Sequence, residues 1–119
     1  MAAELKLTIS GTFKKGTTDI AFGSANTKSI DVSGTAFVKR IQGLTTSLEA
    51  IDVGDTGTGG YLYIQNNGAV NVNIAEGTND VVFATLKAGE GMVLRRVNVT
   101  YKAQTASSTA EIETTVIPD

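Results

Sequence analysis

Tyr61-Leu62-Tyr63-Ile64-Gln65-Asn66-Asn67-Gly68-Ala69-Val70-Asn71-Val72-Asn73-Ile74 is the stretch that decides the fold. In its first half Leu62 and Ile64 share one parity, and Tyr61 and Tyr63 share the other. In its second half Val70, Val72 and Ile74 alternate with Asn71 and Asn73. A period of two is the signature of a half-buried strand, because successive strand side chains point to opposite faces. Asn67-Gly68 between the two runs is a strong short hairpin signal, since both residues tolerate positive φ.

The same period extends outward in both directions. Leu5, Leu7 and Ile9 alternate with Glu4, Lys6 and Thr8, and Lys14-Lys15-Gly16 closes that strand. Ile30 and Val32 alternate with Ser29 and Asp31. Val97, Val99 and Tyr101 alternate with Asn98 and Thr100, and Ile112, Thr114 and Val116 alternate with Glu111, Glu113 and Thr115. Abundant Thr and Val suit a pleated, half-buried surface. Glycine loops at 54–60 and 87–91 and a polar turn at 104–108 separate the runs. Met92 and Leu94 have the opposite parity to Val97 and Val99, so a bulge or turn is expected near Arg95-Arg96. No segment carries a 3.6-residue apolar period; Glu76–Asp80 has room for a single helical turn. The expectation is one all-β domain over residues 1–119, a β-sandwich or jelly roll of roughly eight to ten short antiparallel strands.

Composition narrows the function. The chain has 119 residues with no Cys and no His. Those absences remove the thiolate and imidazole ligands, the commonest general base, and any Ser-His-Asp or Cys-His arrangement. The formal net charge of −2 does not favour bulk binding to nucleic acid or to an anionic membrane. No run approaches the length of a membrane span, and the opening MAAELKLTIS lacks the pattern of a secretory signal.

Several constellations have residue types that could carry chemistry. Glu111 and Glu113 lie on one strand face about 6.8 Å apart at ~3.4 Å per residue, near the spacing of paired glycosidase carboxylates; the plainer reading is a solvated face. Asp52, Asp55 and Thr56 offer oxygens to a cation, but neither the spacing nor a closing bidentate Glu matches a calcium loop. The loop at 54–60 lacks the G-K-[ST] ending and a following helix that a phosphate cradle needs. Lys14-Lys15, Lys39-Arg40 and Arg95-Arg96 each split across two strand faces. Tyr61 and Tyr63 could stack bases, or could cover a sheet face or subunit contact. Asn98-Val99-Thr100 matches a glycosylation acceptor pattern and reads as chance. The balance predicts a structural or binding module, not an enzyme, with no catalytic residue, cofactor or metal site.

One further pattern has a family likeness. A strand ending in Ile64-Gln65-Asn66 precedes Asn71-Val72-Asn73-Ile74, then Phe83-Ala84-Thr85-Leu86-Lys87-Ala88-Gly89-Glu90, then Met92-Val93-Leu94-Arg95. This succession, over residues 61–102, resembles small β-sandwich virion proteins of tailed bacteriophages. The resemblance implies a capsid decoration (cement) protein: a viral structural protein made in the host cytoplasm and carried on the capsid surface. The major capsid protein would be its partner and a homotrimer its favoured assembly. A tail, neck or fibre component of the virion, or a carbohydrate-binding β-sandwich module, is the alternative.

Overall fold

The computed structural model describes residues 5–30, 38–54, 56, 59–97 and 99–118. Ten strands are found among them, and no helix. The chain divides into two compact units, Met1–Ser33 and Gly34–Asp119. This corrects the expectation of one sandwich running through residues 1–119. The cause lies in the pairing: among the described residues, β1 (Leu5–Lys15) and β2 (Thr18–Ile30) pair with each other as a two-stranded sheet. Gly16, at φ +61°, makes the turn between them. The hairpin is longer than the short strands expected, and Ile9 on its first strand is exposed, not half-buried.

The second unit is the sandwich. Its strands are β3 (Val38–Leu44), β4 (Glu49–Ala50), β5 (Tyr61–Asn66), β6 (Val72–Glu76), β7 (Val81–Leu86), β8 (Gly91–Arg95), β9 (Tyr101–Thr105) and β10 (Ala110–Ile117). They form two four-stranded antiparallel sheets, in the orders β3-β10-β5-β8 and β4-β9-β6-β7. The first strand of the unit therefore pairs with the eighth, the second with the seventh, the third with the sixth and the fourth with the fifth. That nested pairing is a long hairpin rolled up on itself, the jelly-roll arrangement.

Alternation places the core. Leu62 and Ile64 of β5, Ile112 and Val116 of β10, and Leu44 of β3 point inward from one sheet. Val72 and Ile74 of β6, Leu86 of β7, and Tyr101 and Ala103 of β9 meet them from the other. Burying each large aliphatic contributes roughly 1.5–3 kcal/mol, which makes this shared layer the main stabilising term.

Three sequence expectations are corrected here. Asn67-Gly68 does not close a two-residue hairpin, because β5 and β6 belong to different sheets. The link runs from sheet to sheet, and the buried Asn66 side chain fixes its course. Asn66 Nδ2 donates to the carbonyl oxygens of Val70 (2.8 Å) and Leu86 (3.0 Å), while its Oδ1 accepts from the Gly68 amide (2.9 Å). Gly68 is required by proximity, since a Cβ there would stand 2.5 Å from the Cβ of Ala110. Likewise Val97 and Val99 do not belong to a strand. β8 ends at Arg95, the chain changes sheets, and β9 begins at Tyr101. The parity break at Arg95-Arg96 is this crossing, and it leaves Val97 exposed. The segment after Glu76 is a turn, not helical, and joins β6 to β7 within one sheet.

Candidate binding surfaces

The outer face of the β3-β10-β5-β8 sheet is built from the residues that alternate with the core. Register aligns Ile117, Tyr61 and Arg95 in one row, and Thr115, Tyr63 and Val93 in the next. The third row holds Glu113, Gln65 and Gly91. The Arg95 guanidinium carbon lies 5.2 Å from the centroid of the Tyr61 ring, a cross-strand cation–π contact. Tyr63 lies across Gly91, where a Cβ would come within 2.7 Å of the phenol oxygen. The Tyr63 hydroxyl donates to Gln65 Oε1 at 2.8 Å. Two half-buried phenol rings, a guanidinium and Val93 thus form one continuous amphipathic face.

A second surface lies at the edge of the other sheet. Val81, Val82 and Phe83 of β7 are 56%, 44% and 49% exposed. They are consecutive because the strand bulges. Ala75 pairs with Val82 and Ile74 with Ala84, which leaves Phe83 as an extra residue in the ladder. The Phe83 ring meets Tyr101 edge-on at 6.2 Å between centroids. Polar pairs lie beside this edge: Thr85 Oγ1 donates to Asn73 Oδ1 at 2.9 Å, and Lys102 Nζ to Asp80 Oδ1 at 2.9 Å. Nothing in the sequence pattern marked this edge, since four successive apolar residues show neither period.

Glu111 and Glu113 both lie on the outward side of β10, as their spacing predicts, but their immediate surroundings differ. Glu113 pairs with Lys39 at 3.9 Å, whereas the exposed Glu111 borders an open hollow of about 500 Å³ beside Asn67, Gly68 and Ala110. Their carboxylates therefore serve different surroundings. Asp52 is engaged locally: its Oδ1 accepts from the Gly54 amide at 2.9 Å and its Oδ2 lies 3.4 Å from Arg40 Nη1. Thr56 Oγ1 donates to the Val53 carbonyl oxygen at 2.8 Å, closing the same turn. Asp55, Gly57, Thr58 and Asn98 lie outside the described residues. Among the described residues no three acidic side chains converge on one point.

The basic pairs are divided as strand geometry requires. Lys39 faces Glu113 and Arg40 faces Asp52. Arg95 covers Tyr61 on the outside, while Arg96 is only 6% exposed and points the other way. Arg96 Nη2 donates to the Thr56 carbonyl oxygen at 3.1 Å, and its backbone amide donates to the Gly60 carbonyl oxygen at 2.7 Å. Burial pushes the Arg96 guanidinium pKa down, with Tyr101 acting in the opposite direction. Sequence reasoning missed this anchoring role; the parity break beside Arg96 was the one signal of it.

No protein-family model matches the chain, and no curated protein or solved structure does. What the geometry offers is contact area. The tyrosine face and the β7 edge each combine apolar surface with polar groups at the margin, the composition of a recognition patch.

Proposed function

We propose that this chain is a structural protein of a tailed-phage virion, a decoration protein that binds the assembled head and stabilises it. The observation that carries the reading is the jelly-roll order of the eight sandwich strands, an architecture used by viral capsid proteins and also by lectins. Fold likeness is an analogy and leaves function to the surfaces. Two features of the chain add to it. The strand-and-turn succession over residues 61–102 resembles small phage virion proteins. The Tyr61–Tyr63–Arg95 face and the Val81–Phe83 edge supply amphipathic contact areas on a rigid scaffold.

The action follows from linkage. A protein that binds the assembled shell and not its separate subunits shifts the equilibrium toward the shell by mass action. The partner is then the major capsid protein, with a homo-oligomer, favoured as a trimer, as the binding unit. The test compares particles with and without the protein under heat or chelator challenge, with add-back of the purified chain. Fragile particles rescued by add-back, with hundreds of copies per virion, are the expected result. Equal survival with a handful of copies per virion would move the chain to the tail or neck.

A further inference from the structure

Asn67 and Gly68 sit where the chain crosses from one sheet to the other, between β5 and β6. An asparagine followed by glycine readily loses its side-chain amide, because glycine has no Cβ to screen the attacking backbone nitrogen. The sequence contains this pair once. Asn67 is exposed, whereas its neighbour Asn66 is fully buried with both ends of its amide occupied. Asn71 and Asn79 are exposed as well, but Val72 and Asp80 follow them. Asn67 thus combines an accessible side chain with an unscreened following nitrogen.

That nitrogen is engaged. The Gly68 amide donates to Asn66 Oδ1 at 2.9 Å, and the Asn66 amide is itself pinned by the carbonyl oxygens of Val70 and Leu86. The Asn66 backbone is held too: its N–H donates to the Glu90 carbonyl oxygen and its carbonyl oxygen accepts from the Gly89 amide, both at 2.9 Å. The Asn67 amide donates to the Glu111 carbonyl oxygen at 3.0 Å, and Gly68 is seated against Ala110. The Gly68 nitrogen must give up the proton that Asn66 Oδ1 accepts before it can act as a nucleophile.

We propose that Asn67 is a site of spontaneous deamidation and that Asn66 gates it. The link is protected while the Asn66–Gly68 bond is made and reacts when that bond opens. Solvent base removes the Gly68 amide proton, the nitrogen bonds to Asn67 Cγ, and the Cγ–Nδ2 bond breaks, releasing ammonia with a proton from water. Water then opens the cyclic imide. Opening at Cγ leaves aspartate; opening at the main-chain carbonyl carbon leaves isoaspartate, with the main chain rerouted through Cβ and Cγ. Nothing is oxidised or reduced. Either product brings a further negative charge to the hollow that Asn67 shares with Glu111, and isoaspartate lengthens the link between the sheets. The inference does not depend on the capsid reading.

The test incubates the full chain at mildly alkaline pH, in buffer and in urea, and follows the products by peptide mapping with mass spectrometry. Conversion should appear at Asn67 ahead of every other asparagine. It should be about tenfold slower in buffer than in urea, the ratio expected when one or two hydrogen bonds hold the reacting peptide. Asn66→Ser should speed conversion in buffer. Leu62→Ala, which weakens the core without touching the link, separates local gating from general loosening. Compared at equal unfolded fraction, Asn66→Ser should react faster than Leu62→Ala. If Asn66→Ser fails to fold, the Gly68 amide of the parent answers instead, and it should be protected from hydrogen exchange. Equal rates in buffer and urea, an unprotected Gly68 amide, or earlier conversion at Asn71 or Asn79 would overturn the proposal. So would a folded Asn66→Ser variant that reacts no faster than Leu62→Ala.

Discussion

Arg96 Nη2 donates to the carbonyl oxygen of Thr56 across 40 positions of sequence, fastening the glycine loop to the start of the β8–β9 crossing. The bond is buried and has a charged donor, the class whose loss costs about 1.5–3 kcal/mol. Arg96→Met should lower unfolding free energy by about that amount. Amide exchange should quicken around Gly60 and Tyr61 before it changes in β6 or β9. Uniform protection across the loop in the variant would refute the anchoring role.

Leu62 and Ile64 contribute to the core from the centre of β5, while Glu113 stands on the outer face one register row away. Leu62→Asp or Ile64→Asp places a carboxylate among aliphatic side chains with no partner, at a cost large enough to unfold the sandwich. Glu113→Gln removes only a long, partly exposed contact to Lys39 and should change stability by less than about 1 kcal/mol. Urea denaturation of the three variants checks this; a Leu62→Asp protein as stable as the parent would invert the assignment of faces.

Thr114 is the polar exception on the inward side of β10. It is fully buried, and among the described residues its Oγ1 has no hydrogen-bond partner. Replacing it with a side chain of the same shape removes the desolvated hydroxyl without opening a cavity. Thr114→Val should stabilise the protein by about 1 kcal/mol, raising Tm by ~4–8 °C. A lower Tm would mean that the hydroxyl is satisfied in solution.

Glu76 sets a pH dependence. Its carboxylate accepts from Thr78 at the turn after β6, and that interaction holds its pKa below the ordinary glutamate value. Asp80 and partial desolvation oppose the shift. A carboxyl whose folded-state pKa is depressed stabilises the fold above its unfolded pKa. The contribution is lost as pH falls through the depressed value. The stability difference between the parent and Glu76→Gln should therefore shrink on acidification below pH ~4.3, the ordinary glutamate value. Parallel curves from neutral to acidic pH would remove the effect.

Strand identity was legible in β5 and β10, which alternate without interruption, whereas β9 at Tyr101–Thr105 follows the expected Val97–Tyr101 run and reaches into the turn expected at 104–108. Which strands pair was not legible. Asn67-Gly68 carries the local chemistry of a tight hairpin, yet the same chemistry serves a link between sheets once Asn66 is buried and satisfied by Val70 and Leu86. Turn residues specify that the chain bends, whereas long-range burial specifies where it goes. The Val97–Val99 alternation misled for a related reason: the chain crosses between sheets there, and alternation has no consequence without a ladder. The tyrosine face could be read from parity alone, but the Arg95–Tyr61 contact needed the β5–β8 register. The β7 edge stayed hidden because a bulge erased its period.

The nested strand pairing also governs how the chain reaches its native state. Within the sandwich, β6–β7 is the only pairing between strands adjacent in sequence among the described residues; every other ladder joins strands with further strands between them, out to Leu44 beside Ala110. Loop closure costs more entropy as the enclosed segment lengthens, and non-local pairing slows folding toward the millisecond-to-second range (~10⁻³–1 s). If β6–β7 forms first, each later pair closes a shorter effective loop than it would from the open chain. Substitutions in the Gly77–Asp80 turn should then slow refolding, while those at the β3–β10 ladder should mainly hasten unfolding. The last ladder to close would be the one that joins the two ends of the sandwich sequence, giving the rolled hairpin a direction in time as well as an order in space.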